Sequence, residues 1–167
     1  MKPVVIACVA LLFAAQSSAG PCDTDEFRQF SFWAGDWEVS MADGTVVGHN
    51  SIHPEADGCA LVERWRSVRG NTGTSLNYYD LAQSRWVQVW TGAGGTQIDI
   101  RGGLRAGSMV LVGTLTSVAD GKTVPFRGTW TLLDDGRVRQ FFEQSNDAGE
   151  TWVPWFEGFY KRQQESE

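Results

Sequence analysis

Histidine, basic clusters and helical periodicity are all scarce in this chain. It holds two histidines, and His49 and His53 are spaced i, i+4. On a strand that spacing puts both on one face about 13 Å apart, too far to share a metal ion. The three cysteines form no Cys-x-x-Cys pair, which gives no support to a reactive dithiol. Gly92-Ala93-Gly94-Gly95 precedes a strand-like segment, so it lacks the helix N-terminus that cradles phosphate. No nucleophile elbow frames a serine. No run of Lys and Arg stands out, and 14 basic residues face 20 acidic ones. That balance argues against nucleic acid or anionic membrane as partners. No metal and no cofactor is implied.

The first residues read as a secretory leader. Lys2 supplies the positive start, and Val4 to Ala15 form an unbroken apolar run. Ser17 and Ala19 stand at −3 and −1 of a cut after residue 19. The run is 12 residues, short for a membrane span. Pro21 before Cys22 speaks against a lipid-modified cysteine. Cleavage leaves 148 residues, enough for one domain with a real core. It removes Lys2 and takes the net charge from −6 to −7. The mature product is expected to be periplasmic or secreted, with no membrane span. Cys8 leaves with the leader, so Cys22 and Cys59 remain. In an oxidising compartment such a pair is expected to bond, the alternative being two free thiols.

Short alternating apolar runs follow, separated by Gly, Asp and Asn every 8–12 residues or so, the pattern of antiparallel β. Ten strands are expected: 37–41, 46–53, 60–68, 74–80, 85–91, 97–101, 108–116, 124–133, 138–144 and 152–162. Gly102-Gly103 is read as a link, and four Asp-Gly pairs sit at or near turns. One short helix is expected over Asp23 to Phe32, capped by Asp23 with Glu26 as its box partner, and plugging one end. The fold expected over residues 20–162 is a closed antiparallel up-and-down barrel of about ten strands, with a two-sheet sandwich as the competitor. Residues 163–167 are expected to form a disordered tail.

Gly35-Asp36-Trp37 opens the first strand and resembles the Gly-x-Trp signature of lipocalins and their calycin relatives. The resemblance implies that Trp37 lies across a barrel floor under a cation near the C-terminus, Arg162 or Lys161. The chain is similar to a bacterial domain-of-unknown-function family with calycin-like barrels, through Phe32-Trp33-x-Gly35-x-Trp37, Gly58-Cys59-Ala60-Leu61-Val62-Glu63-x-Trp65, Ser75-Leu76-Asn77-Tyr78-Tyr79-Asp80, Trp86-x-Gln88-Val89-Trp90 and the run from Val138 to Trp152. That family implies a fold and no activity. Barrels of the nitrobindin type hold haem through a histidine near the C-terminus, and residues 152–162 contain none. Ser145-x-Asp147-x-Gly149-x-Thr151-Trp152 matches the Asp-box of sialidase-like propellers. A propeller repeats it; a single copy reads as a hairpin clasp.

Strand alternation groups Leu61, Glu63, Trp65 and Ser67 on one face. It likewise groups Ser75, Asn77 and Tyr79; Trp86, Gln88 and Trp90; and Val138, Gln140 and Phe142. Aromatic walls with a few polar groups suit a ligand cavity. The candidate binding residues are therefore Glu63, Trp65, Asn77, Tyr79, Gln88, Trp90, Gln140 and Phe142, for a small apolar or aromatic molecule. The other reading is a filled core, with the eight tryptophans as packing. Glu63, if inward, is a candidate proton acceptor or ligand anchor. Otherwise it pairs with Arg64, Arg66, Arg139 or an inward arginine. The three roles that follow are a binding module, an isomerase, cyclase or hydrolase using Glu63, and a filled structural barrel with an envelope partner docking near Trp152 or Trp155. The oligomeric state is not legible in these patterns.

Overall fold

The computed structural model describes residues 20–163; the proposed leader and the last four residues of the tail lie outside them. The alternating segments form ten strands: β1 Gly35–Ser40, β2 Val46–Glu55, β3 Ala60–Ser67, β4 Thr72–Asp80, β5 Arg85–Gly92, β6 Thr96–Arg105, β7 Ser108–Ser117, β8 Thr123–Leu132, β9 Val138–Gln144 and β10 Val153–Arg162. Each pairs antiparallel with its sequence neighbours, and β1 closes on β10. Every backbone edge is thereby consumed, which removes the template for edge-to-edge association. No helix among the described residues is long and apolar enough to cross a membrane.

Period-two alternation is directly visible in burial. Leu61 and Glu63 are buried in β3, while Arg64 and Arg66, at the alternate positions beyond them, face water. In β8 Val124, Phe126, Gly128 and Trp130 turn inward.

The N-terminal plug is shorter than its sequence suggests. It consists of one α-turn, α1 (Asp25–Arg28), followed by a 3₁₀ turn over Ser31–Trp33. Thr24, rather than Asp23, occupies the N-cap, and it makes no side-chain cap. Its hydroxyl donates to Glu26 Oε2 at 2.6 Å, and Asp23 pairs with Arg28. Phe30 explains the break, because it must drop into the barrel end: it stacks on Trp33 at 4.9 Å and meets Trp86 and Trp130 edge-on. Trp86 Nε1 donates to the Glu26 carbonyl at 3.1 Å, and the Cys22–Cys59 disulfide ties the segment to the β2–β3 turn.

Two further segments depart from their sequence reading. Gly102-Gly103 lies inside β6, paired with Leu111 and Val110. A side chain at Gly102 would collide with the Val110 carbonyl, so glycine serves close strand approach there. The turn is Ala106-Gly107, both with positive φ, as a two-residue hairpin of the I′ kind requires. Gln163 is anchored, its N–H donating to the Asp36 carbonyl at 2.9 Å.

The floor corner is Gly35, Trp37 and Arg162. The Arg162 guanidinium lies 4.4 Å over the Trp37 ring and donates to the Ala34 carbonyl at 3.0 Å. Gly35 has φ +140°, and a Cβ there would run into that guanidinium. Trp37 Nε1 donates to the Trp33 carbonyl at 2.9 Å, so the corner also locks the plug.

The single Asp-box is a hairpin clasp between β9 and β10. Asp147 accepts from Ser145 Oγ at 2.6 Å and from the Thr151 N–H at 2.8 Å. The Gly149 N–H donates to Ser145 Oγ at 2.8 Å. These donors, Ser145 first and then Thr151, hold the Asp147 carboxyl down at about 2. Trp152 is covered by Arg127, which also forks onto Glu143 at 2.6 and 2.9 Å.

Candidate functional site

The barrel is filled at one end and hollow at the other. Plug aromatics pack the end where β1 begins. At the opposite end lies a cavity of ≈ 160 Å³ lined by Trp65, Trp90, Ile98, Phe142, Trp155 and Phe156, with Glu63, Gln140 and Tyr160 as its polar lining. The choice between a filled core and a cavity thus resolves by depth: both are present, stacked along one axis.

Glycines keep the cup open. Trp90 of β5 lies flat over Gly73 of β4 and Gly92 of its own strand, and Trp65 of β3 lies over Gly48 of β2. A Cβ at any of the three would strike an indole ring. The missing side chains let the rings lie along the wall rather than across the lumen. A β-bulge between Pro154 and Phe156 resets the alternation of β10. As a result the consecutive Trp155 and Phe156 both reach the mouth.

Below the aromatic ring sits a buried polar network centred on Glu63. Glu63 is 4% exposed and points inward, and it pairs with none of Arg64, Arg66 or Arg139; Arg139 bonds Glu157 instead. Asn50 Nδ2 donates to Glu63 Oε1 at 2.7 Å, and Ser75 Oγ donates to Oε2 at 2.6 Å. Asn77 donates to Ser75 Oγ at 2.8 Å, and Gln88 donates to Asn77 Oδ1 at 2.8 Å. On the other side Asn50 also reaches Tyr160 Oη at 3.3 Å, and that hydroxyl donates to Gln140 Oε1. Loss of water pushes the Glu63 carboxyl up, and its two neutral donors only partly offset this. The Tyr160 hydroxyl is held well above its ordinary range by burial and by the Glu63 charge. No Lys or Arg among the described residues reaches the carboxylate.

Of the candidates read from alternation, Glu63, Trp65, Trp90, Gln140 and Phe142 surround the cavity. Asn77 and Gln88 are inward and buried, but they lie in the hydrogen-bonded layer rather than on the cavity surface. Tyr79 is at the plugged end, edge-on to Phe27 and Trp86. Asn50, Ile98, Trp155, Phe156 and Tyr160 complete the site without having been singled out for ligand contact. Asn50 was findable from Gly48-x-Asn50-x-Ile52, and Tyr160 from Phe156-x-Gly158-x-Tyr160, each an inward set at period two.

Chemically, the cup offers flat aromatic walls, one carboxyl group and two neutral hydrogen-bonding groups. It contains no thiol or imidazole, and no group of three ligating side chains occurs among the described residues. No family model and no curated protein matches the chain.

Proposed function

We propose that the protein is a binding module that holds one small, largely apolar or aromatic molecule in the open half of its barrel. The observation that carries this is the ≈ 160 Å³ aromatic cavity over a buried carboxyl. A dry cavity of roughly 150 Å³ accommodates a benzene ring, so the expected ligand is a single ring or a compact alkyl group with one polar end. The Gly35–Trp37–Arg162 corner supports kinship with calycin-like barrels, and the Cys22–Cys59 disulfide supports export to an oxidising compartment.

Toluene titration followed by NMR of the indole N–H signals tests the reading. Trp65, Trp90 and Trp155 should shift on binding while Trp33 and Trp37 stay still. Shifts confined to the plugged end, or none at all, remove the ligand cup.

One observation favours a second reading. Glu63 is a carboxyl held above its usual range inside a cavity, the environment of a general acid or base. Of the inward amides Asn77, Gln88 and Gln140 that could orient a substrate for it, Gln140 alone lines the cavity. Turnover by the protein that disappears in Glu63→Gln while binding persists would establish that role.

A further inference from the structure

The cup has a charge character as well as a shape. Its walls are three tryptophans and two phenylalanines, and the face of each ring is the negative end of its quadrupole. Glu63 is the lining group that can take up a negative charge, since Gln140 does not titrate and the Tyr160 hydroxyl is held protonated, and a cation beside it favours its ionised form. Glu63 is bonded only to neutral donors, Asn50 and Ser75. Each carboxylate oxygen therefore keeps further acceptor capacity. A buried carboxylate normally has a cation beside it, and none of the described residues supplies one here: Arg139 and Arg127 are spent on Glu157 and Glu143 outside the barrel. No positive partner stands beside it among the described residues, and the space beside the carboxylate is lined with surfaces that attract cations.

We propose that the ligand is a small organic cation, a primary or quaternary amine of single-ring size, with its nitrogen toward Glu63 and its body between Trp65, Trp90 and Trp155. This rests on the binding-module reading and narrows it. The carboxylate and the indole faces act on the same charge, and cation–π contacts strengthen when desolvated. A neutral ring of the same shape gains only the wall contacts. An anion opposes ionisation of the carboxyl at the base.

Benzylamine, benzyl alcohol, toluene and benzoate differ little in shape and separate the terms. Their affinities for the purified, oxidised protein are read by calorimetry, with the Trp65 and Trp90 indole signals confirming the site. Benzylamine should bind at least about tenfold more tightly than toluene or benzyl alcohol, and benzoate should not bind. Glu63→Gln should reduce benzylamine to the level of toluene and leave toluene unchanged. The wild-type series decides the matter even where the variant does not fold. Equal binding of benzylamine and toluene, or a preference for benzyl alcohol or benzoate, overturns the cation while leaving the cup intact. Silence from all four at the indole signals removes the cup as well.

Discussion

Tryptophan performs opposite tasks at the two ends of this barrel. At the plugged end Trp33, Trp86 and Trp130 are fully buried and interlock around Phe30. At the mouth Trp65 and Trp90 are half-buried and lie against glycines that leave the lumen empty. Residue type is the same; what differs is the neighbour. A bulky partner across the lumen turns an indole into packing, and a glycine beside it turns the indole into a wall. Residue type alone therefore does not distinguish scaffold from site.

The largest effect should come from truncating a ring at the plugged end. Trp130→Ala should lose about 3–5 kcal/mol of unfolding free energy, whereas Trp65→Ala should lose about 1 kcal/mol or less. Urea denaturation of both variants makes the comparison, and similar losses would break it. Next comes the disulfide, which belongs to the plugged end. Closing 37 residues in the unfolded chain is worth about 3–4 kcal/mol on the loop-entropy account. The Cys22→Ser/Cys59→Ser double variant should lose that amount in the same assay, with toluene affinity at the mouth unchanged.

Gly73→Ala attacks the mouth. The new methyl strikes Trp90, which must swing into the lumen at an overpacking cost of about 1–3 kcal/mol. Toluene binding should vanish while the Trp37 indole signal keeps its position. Survival of binding would show that glycine does not hold the cup open. The smallest effect concerns Glu63. Its folded pKa lies above the ordinary value, so the folded state binds this proton more tightly than the unfolded chain does. Its contribution to stability is fully present below the unfolded value of 4.5 and is lost as pH rises above it, through the folded pKa. Glu63→Gln removes that dependence. Asn50, whose Oδ1 has no partner, can turn its amide to accept from the new NH₂. The gap in urea midpoint between variant and wild type should widen in favour of the variant as pH rises above 4.5. A constant gap would mean that the carboxyl is not strained by burial.

The ten strands were legible because alternation and turn chemistry agree along nearly the whole chain, as in Asp43-Gly44 between β1 and β2. Gly102-Gly103 misled because glycine serves both turns and tight strand contacts, and only the Leu111 and Val110 opposite tell which. For the site, alternation gives the face of a residue but not its depth. Trp65 and Leu61 share a face, yet one lines the mouth and the other lies toward the plug. Depth depends on the stagger between neighbouring strands, which no single strand records. Trp155 and Phe156 escaped for a related reason: the bulge puts two consecutive residues at the mouth, which strict alternation forbids.

The junction of β1 with β10 has its own lesson for assembly. Nine of the ten strand pairings join neighbours along the chain, and this one alone brings Trp37 to Arg162 through four residue pairs. Hairpins can zip in turn as the polypeptide is made, but the ring stays unzipped until its last strand arrives. A nascent or clipped product lacking that strand would present two unpaired sheet margins to other chains. The ten residues of β10 therefore act as a checkpoint on solubility.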